Sequence, residues 1–87
     1  MSGQEEIVAE LIRGLKHERD EIKLQLHLAK KELQEDWEQL DDRLNKLDNR
    51  FKPARKAASE SAEEVWESLK FVGIEIRDGF KSICDAL

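Results

Sequence analysis

The stretch that decides the fold is residues 33–65, LQEDWEQLDDRLNKLDNRFKPARKAASESAEEV. Apolar residues recur along it at alternating steps of four and three, with charged or amide side chains at most positions between them. The members of this ladder are Leu33, Trp37, Leu40, Leu44, Leu47, Phe51, Ala54, Ala58 and Val65, with Ser61 as the one polar member. Such a period keeps one face of a helix against a partner helix. The pattern therefore predicts an all-α fold held together by helix packing.

The composition of the whole chain is also typical of amphipathic helices. Charged residues make up 40% and hydrophobic residues 39% of its 87 residues. A net charge of only −5, with apolar residues so regularly spaced, argues against disorder. Glycine is rare and proline occurs once, which argues against a chain of strands and turns. We expect a single domain over residues 1–87.

Pro53 is the one strong helix breaker within the ladder. It removes a backbone donor and disfavours helix at the residue before it, and Ser61 with Glu64 matches a capping box farther on. We therefore predict a long helical hairpin of two antiparallel helices. Its parts are a helix over 5–51, a break over 52–60 and a helix over 61–86.

The ladder nevertheless crosses Pro53 without losing phase. A single long kinked helix in an oligomeric coiled coil is therefore the alternative architecture. The hairpin is favoured because its second helix can cover the apolar stripe of the first. A turn near residue 52 would also place Trp37 beside Trp66.

Two helices packed side by side leave much of each apolar stripe uncovered. Chains this small rarely gain enough stability from one core, and this chain has no disulfide pair to add to it. We therefore predict self-association, as a dimer or tetramer, into a coiled coil or four-helix bundle. The residues of this predicted seam are Leu33, Trp37, Leu40, Leu44, Leu47, Phe51, Val65, Leu69, Val72, Ile76, Phe80 and Ile83.

The sequence carries no recognisable catalytic, cofactor or metal motif. His17 and His27 do not share a helix face, and neither follows a glutamate by three residues as in di-iron bundles. The acidic pairs of the chain have no pocket to hold them at a fixed separation. We therefore expect a protein without enzymatic activity and without a cofactor.

Phe71 and Ile74 lie on the helix face opposite the C-terminal apolar stripe. They are either tolerated surface residues or a second contact surface for another subunit or for lipid. Cys84 falls on the apolar face, where burial would make its thiol inert. A redox-active or intersubunit thiol is the alternative, and it would need exposure and an electropositive neighbour such as Lys81.

The single cysteine favours a reducing compartment, and neither a secretory signal nor a membrane span is visible. We predict a cytoplasmic protein.

The segment Val65-Trp66-Glu67-Ser68-Leu69-Lys70, followed by Gly73-Ile74-Glu75, resembles the C-terminal region of small bacterial coiled-coil proteins of unknown function. Those proteins carry a Trp-Glu-x-Leu-Lys amphipathic helix after a long charged helix. Here Gly-Ile-Glu is displaced by one residue, and the second tryptophan of the pattern is replaced near Ile76. The resemblance implies a helical fold and no catalytic residue.

These observations favour a non-enzymatic structural or protein-interaction coiled-coil module. One alternative is membrane-surface binding through the amphipathic helix 58–87. Another is an acidic adaptor or chaperone for a basic partner, which the net charge permits. The same net charge repels polyanions, so we expect no nucleic-acid partner.

Overall fold

The computed structural model describes residues 3–57 and 63–87, and they form three helices. These are α1, Gly3–Leu26, α2, Lys31–Lys56, and α3, Glu63–Ala86. The described residues contain no strand, so the predicted all-α class is confirmed.

The three helices form an up-down-up bundle in which each packs against both others. Arg55 Nε of α2 lies 3.2 Å from Glu5 Oε1 near the start of α1, so these two helices are antiparallel. Gln4 Nε2 of α1 donates to Glu63 Oε1 of α3 at 3.3 Å, so both helices begin at the same end. Helices of 24 to 26 residues are about 36–39 Å long, which accounts for the 45 Å length of the bundle.

The prediction of one helix over residues 5–51 is wrong, because the chain reverses at residues 27–30. The Gln34 side chain holds this turn: its Nε2 donates to the Leu26 carbonyl at 3.1 Å and to the Ala29 carbonyl at 3.2 Å. Lys30 then adopts an extended conformation and α2 begins. Both the two-helix hairpin and the single kinked helix are therefore replaced by three helices. The physical reason is burial, because three short helices cover each other's apolar stripes more completely than two long ones.

Pro53 lies inside α2, which continues to Lys56. A proline here leaves the carbonyl of Asn49 without its helical donor, and Asn49 is exposed, so water can supply one. The direction of the chain reverses between α2 and α3, and the predicted capping box at Ser61 lies outside the described residues. Pro53 therefore lies in the last turn of α2 and does not end the helix at its own position.

The core is apolar throughout the described residues, where no polar or charged residue is buried. Helix α1 contributes Val8, Ile12, Leu15 and Ile22 to it. The buried members of the predicted seam are Trp37, Leu40, Leu44, Leu47, Phe51, Leu69, Ile76, Phe80 and Ile83. Leu33 and Val72 are half-buried and Val65 is exposed. Helix α1 thus takes the place that the sequence analysis gave to a second subunit.

Two glycines of α3 let the helices approach closely. A Cβ atom on Gly73 would lie 2.5 Å from Leu11 Cδ2 of α1, and one on Gly79 would lie 2.7 Å from Leu40 Cδ2 of α2. Real Cβ atoms do not approach carbon so closely. The two glycines therefore set the spacing of α3 from its two neighbours.

The two tryptophans have different partners from those predicted. The rings of Trp66 and Phe51 pack in a T-shaped arrangement, with ring centroids 6.0 Å apart. The buried Nε1 of Trp66 has no hydrogen-bond partner among the described residues. Trp37 instead donates from Nε1 to the Arg19 carbonyl of α1 at 3.2 Å. The expected pairing of Trp37 with Trp66 assumed a turn near residue 52, whereas α2 continues to Lys56 and α3 begins at Glu63.

Candidate interaction surfaces

The groups able to do chemistry lie on the surface of the bundle. Within residues 3–57 and 63–87, no three His, Cys, Asp or Glu side chains come together in a way that could hold a metal ion. Exposed His17 contacts Glu21 at 2.9 Å through Nε2, and His27 is exposed at the turn. One depression lies between α2 and α3 and another between α1 and α3. The exposed surfaces of the bundle are therefore its candidate interaction sites.

Cys84 is exposed, contrary to the expectation that it is buried. It lines a groove between α1 and α3 with Glu18 and Glu21. Partial desolvation, together with the carboxylates of Glu18, Asp85 and Glu21, raises the pKa of its thiol. Fewer thiolates are present at neutral pH than for a free cysteine, and the thiolate is the reactive form. The groove therefore suppresses the reactivity that exposure alone would allow.

Two of the basic residues near the end of α2, Lys52 and Arg55, have acidic neighbours. Arg55 pairs with Glu5 of α1 and lies 5.8 Å from the centre of the Phe51 ring. Asp48 lies 3.0 Å from Lys16 Nζ and 3.6 Å from Lys52 Nζ.

The outward face of α3 carries an exposed aromatic ring among acidic side chains. Phe71 is 65% exposed, and the residues within a band about 120° wide around it include no lysine or arginine. We call this band the acidic face; its members are Glu64, Glu67, Ser68, Phe71, Ile74, Glu75, Asp78, Ser82, Asp85 and Ala86. The predicted position of Phe71 opposite the apolar stripe agrees with its exposure, whereas Ile74 is half-buried.

The carboxylates of the acidic face are largely free of internal partners. Arg43 Nη2 lies 3.5 Å from Glu75 Oε2, and both side chains are well exposed. Glu67 and Asp78 make no ion pair with the described residues. The face therefore presents negative charge that the rest of the bundle does not neutralise.

A second exposed apolar group lies at the α1–α2 turn. Leu24 is 76% exposed and Leu28 is 83% exposed. Around them, residues 22–31 contain three lysines and no acidic residue. We call this group the leucine tip; its members are Lys23, Leu24, His27, Leu28, Lys30 and Lys31.

Sequence reasoning missed the leucine tip because it treated this region as the middle of a long helix. A signal was present in the sequence. Leu24 and Leu28 stand off the stripe formed by Ile22 and Leu26, in the longest acid-free run of the N-terminal half. Apolar residues that leave the stripe in this way indicate either a turn or a second contact surface.

No helix among the described residues is long and apolar enough to cross a membrane. Comparison of the chain with family models, curated proteins and solved structures gave no match, and the resemblance to small bacterial coiled-coil proteins stays a hypothesis.

Proposed function

We propose that this protein is a non-enzymatic interaction module that binds a basic protein segment on its acidic face. The observation that supports this most is the exposure of Phe71 among carboxylates. Burying a phenylalanine side chain gains about 1.5–3 kcal/mol, so a partner that covers Phe71 gains a large part of its affinity there. Aromatic anchors of this kind dominate the energetics of protein interfaces.

The charge of the face selects the partner. Glu64, Glu67, Glu75, Asp78 and Asp85 surround or extend the Phe71 position along α3. A basic segment is attracted to this field, whereas an acidic one is repelled. The matching partner is an amphipathic segment with lysines or arginines flanking an apolar groove or stripe. This corresponds to the adaptor reading of the sequence.

Self-association stays a separate prediction. Because most of the predicted seam is buried within one chain, a second copy would have to use exposed apolar residues. Two acidic faces repel each other, so we assign the acidic face to a basic partner and not to another copy. Light scattering on the purified chain measures this directly: a monomer has a mass of 10.1 kDa, and a dimer or tetramer a multiple of it.

Membrane binding through helix 58–87 has less support as a proposal. The apolar stripe of α3, including Leu69, Ile76 and Phe80, faces the core. The face that remains outside is acidic and is repelled by anionic lipid.

We also propose a cytoplasmic location. The single cysteine supports it, because a lone cysteine is typical of a reducing compartment.

The test uses affinity capture from the host with matched charge variants of the full chain. We expect a basic protein to be retained by the wild type and to be lost with Phe71→Ser and with the double variant Glu67→Lys/Asp78→Lys. The control double variant Glu35→Lys/Glu38→Lys makes the same charge change on exposed positions of α2 and should retain it.

The captured partner is then purified and titrated. We expect Phe71→Ser to weaken binding by about tenfold or more, since each 1.4 kcal/mol corresponds to tenfold. Affinity should also fall as salt is raised. Equal retention by all four proteins, or loss with the α2 control alone, would refute the assignment of the acidic face.

A further inference from the structure

We propose that the leucine tip binds the surface of an anionic membrane. This site is distinct from the acidic face, and the inference does not rest on the proposed function. It rests on two observations at one end of the bundle: two highly exposed leucines, and a run of ten residues that contains three lysines and no acidic residue.

The leucines are the most exposed large apolar side chains among the described residues, at 76% for Leu24 and 83% for Leu28. Single exposed leucines are common on protein surfaces, but apolar residues grouped together mark contact sites. Leu87 at the end of α3 is also exposed, and it lines the same shallow depression as Leu28. The apolar surface therefore continues across the end of the bundle.

The charges around these leucines favour an anionic surface. Lys23, Lys30 and Lys31 lie within the acid-free run, and the ammonium groups of Lys30 and Lys31 make no ion pair with the described residues. Of the nearest acidic residues on α1, Asp20 is paired with Arg19, and Glu21 contacts the imidazole of His17. The opposing acidic residues at this end of the bundle are Glu21 of α1, Glu32 in the first turn of α2 and Asp85 in the last turn of α3. Lysines placed in this way are attracted to the negative surface potential of anionic lipid.

The composition of the tip favours lipid over a protein partner. Leucine is under-represented among the residues that dominate protein interfaces, and lysine is depleted there. A turn at the end of a rod offers two protruding aliphatic side chains and no rigid aromatic anchor. A bilayer deforms around such side chains, whereas a protein must provide a fitted pocket for them. Insertion of the tip would bury the leucines while the lysines stay at the headgroups.

The experiment measures flotation of the full chain with two kinds of vesicle, phosphatidylcholine alone and phosphatidylcholine with about one third phosphatidylglycerol. We expect binding to the anionic vesicles that weakens with salt and is much lower on the neutral ones. Leu24→Ser/Leu28→Ser should reduce partitioning by about tenfold or more, given the number of methylene groups removed from the contact. Lys30→Glu/Lys31→Glu should abolish the preference for anionic lipid.

The control is Phe71→Ser, which removes an apolar side chain that is 65% exposed from the acidic face. It should float like the wild type, so failure of this proposal and failure of the proposed function are distinguishable. All variants replace exposed residues, and circular dichroism verifies that each stays helical. Absence of wild-type flotation at millimolar anionic lipid, or undiminished flotation of the leucine double variant, would overturn the proposal. Binding of the tip to an acidic peptide with no binding to vesicles would also overturn it, and would assign the tip to a protein partner.

Discussion

Replacing Gly73 by alanine is expected to destabilise the bundle, whereas the same replacement at Gly14 is expected to stabilise it. Both glycines lie inside helices, where alanine is favoured by about 0.5–1 kcal/mol. A Cβ on Gly14 meets nothing within 4 Å, so this gain should be realised in full. The stability difference between the two variants therefore reports on packing at Gly73.

At Gly73 the new methyl group would lie 2.5 Å from Leu11 Cδ2 and 3.0 Å from Leu11 Cγ. Because Cγ is also too close, the whole Leu11 side chain has to move and not only its tip. Leu47 Cδ2 lies 3.6 Å away and closes the other side. Overpacking of this kind costs about 1–3 kcal/mol, which equals or exceeds the gain in helix propensity. The net effect at Gly73 is a loss of stability of up to about 2.5 kcal/mol.

Thermal denaturation followed by circular dichroism measures both effects. For a domain of this size, 1 kcal/mol shifts the melting temperature by about 4–8 °C. Gly14→Ala should therefore melt higher than the wild type and Gly73→Ala lower. In a double-mutant cycle, Leu11→Ala should relieve the penalty at Gly73, because it removes the atoms that clash. If Gly73→Ala stabilises the protein as much as Gly14→Ala does, α1 and α3 are not packed this closely and the assigned helix interface is wrong.

Three further predictions test other parts of the bundle. Leu44→Ala should lower the stability by about 2–5 kcal/mol in urea denaturation, because Leu44 is fully buried, whereas Lys46→Ala on the exposed side should change it little. Gln34→Ala should lower the free energy of unfolding by about 1 kcal/mol, because the carbonyls of Leu26 and Ala29 lose their donor. Amide hydrogen exchange at the turn should then be faster than in the wild type. Cys84 should be alkylated more slowly than a free cysteine at pH 7, and the rate should rise with pH through its raised pKa. Glu18→Gln should speed the reaction, and an unchanged rate would show that this carboxylate does not act on the thiol.

The amphipathic pattern of α2 and α3 could be predicted from the sequence because one physical effect decides it. Leu40, Leu44, Leu47 and Phe51 recur at helical spacing, and all four are buried. The covering partner could not be predicted in the same way. A stripe requires another apolar surface but does not say whether that surface comes from the same chain. The structure provides it from α1, where the sequence analysis expected a second subunit.

The turn at residues 27–30 could not be predicted because its signals are weak. It contains neither glycine nor proline, and the described residues include no positive φ. Leu26, Ala29 and Leu33 also continue the helical spacing across it. The hydrogen bonds from Gln34 stabilise the turn only after the chain has reversed, so they leave no local pattern. Tertiary packing decides this boundary. The outward position of Phe71 could be predicted because it follows from helix periodicity alone. The leucine tip could not be predicted because its formation requires the turn.

The two exposed apolar surfaces lie in opposite electrostatic environments, and this restricts what one partner can do. Phe71 is surrounded by carboxylates, whereas Leu24 and Leu28 lie in a run with lysines and no acidic residue. A basic segment attracted to the first surface is repelled by the lysines of the second, and an anionic membrane has the reverse preference. The two surfaces therefore suit different ligands. If both proposals hold, a bundle bound to lipid by its tip keeps the acidic face of α3 turned to the side of the rod, where a basic protein can reach it. Vesicles that carry the wild-type chain should then recruit the basic partner, whereas vesicles that carry the Phe71→Ser variant should not. If both kinds of vesicle recruit it, the partner does not bind through the acidic face.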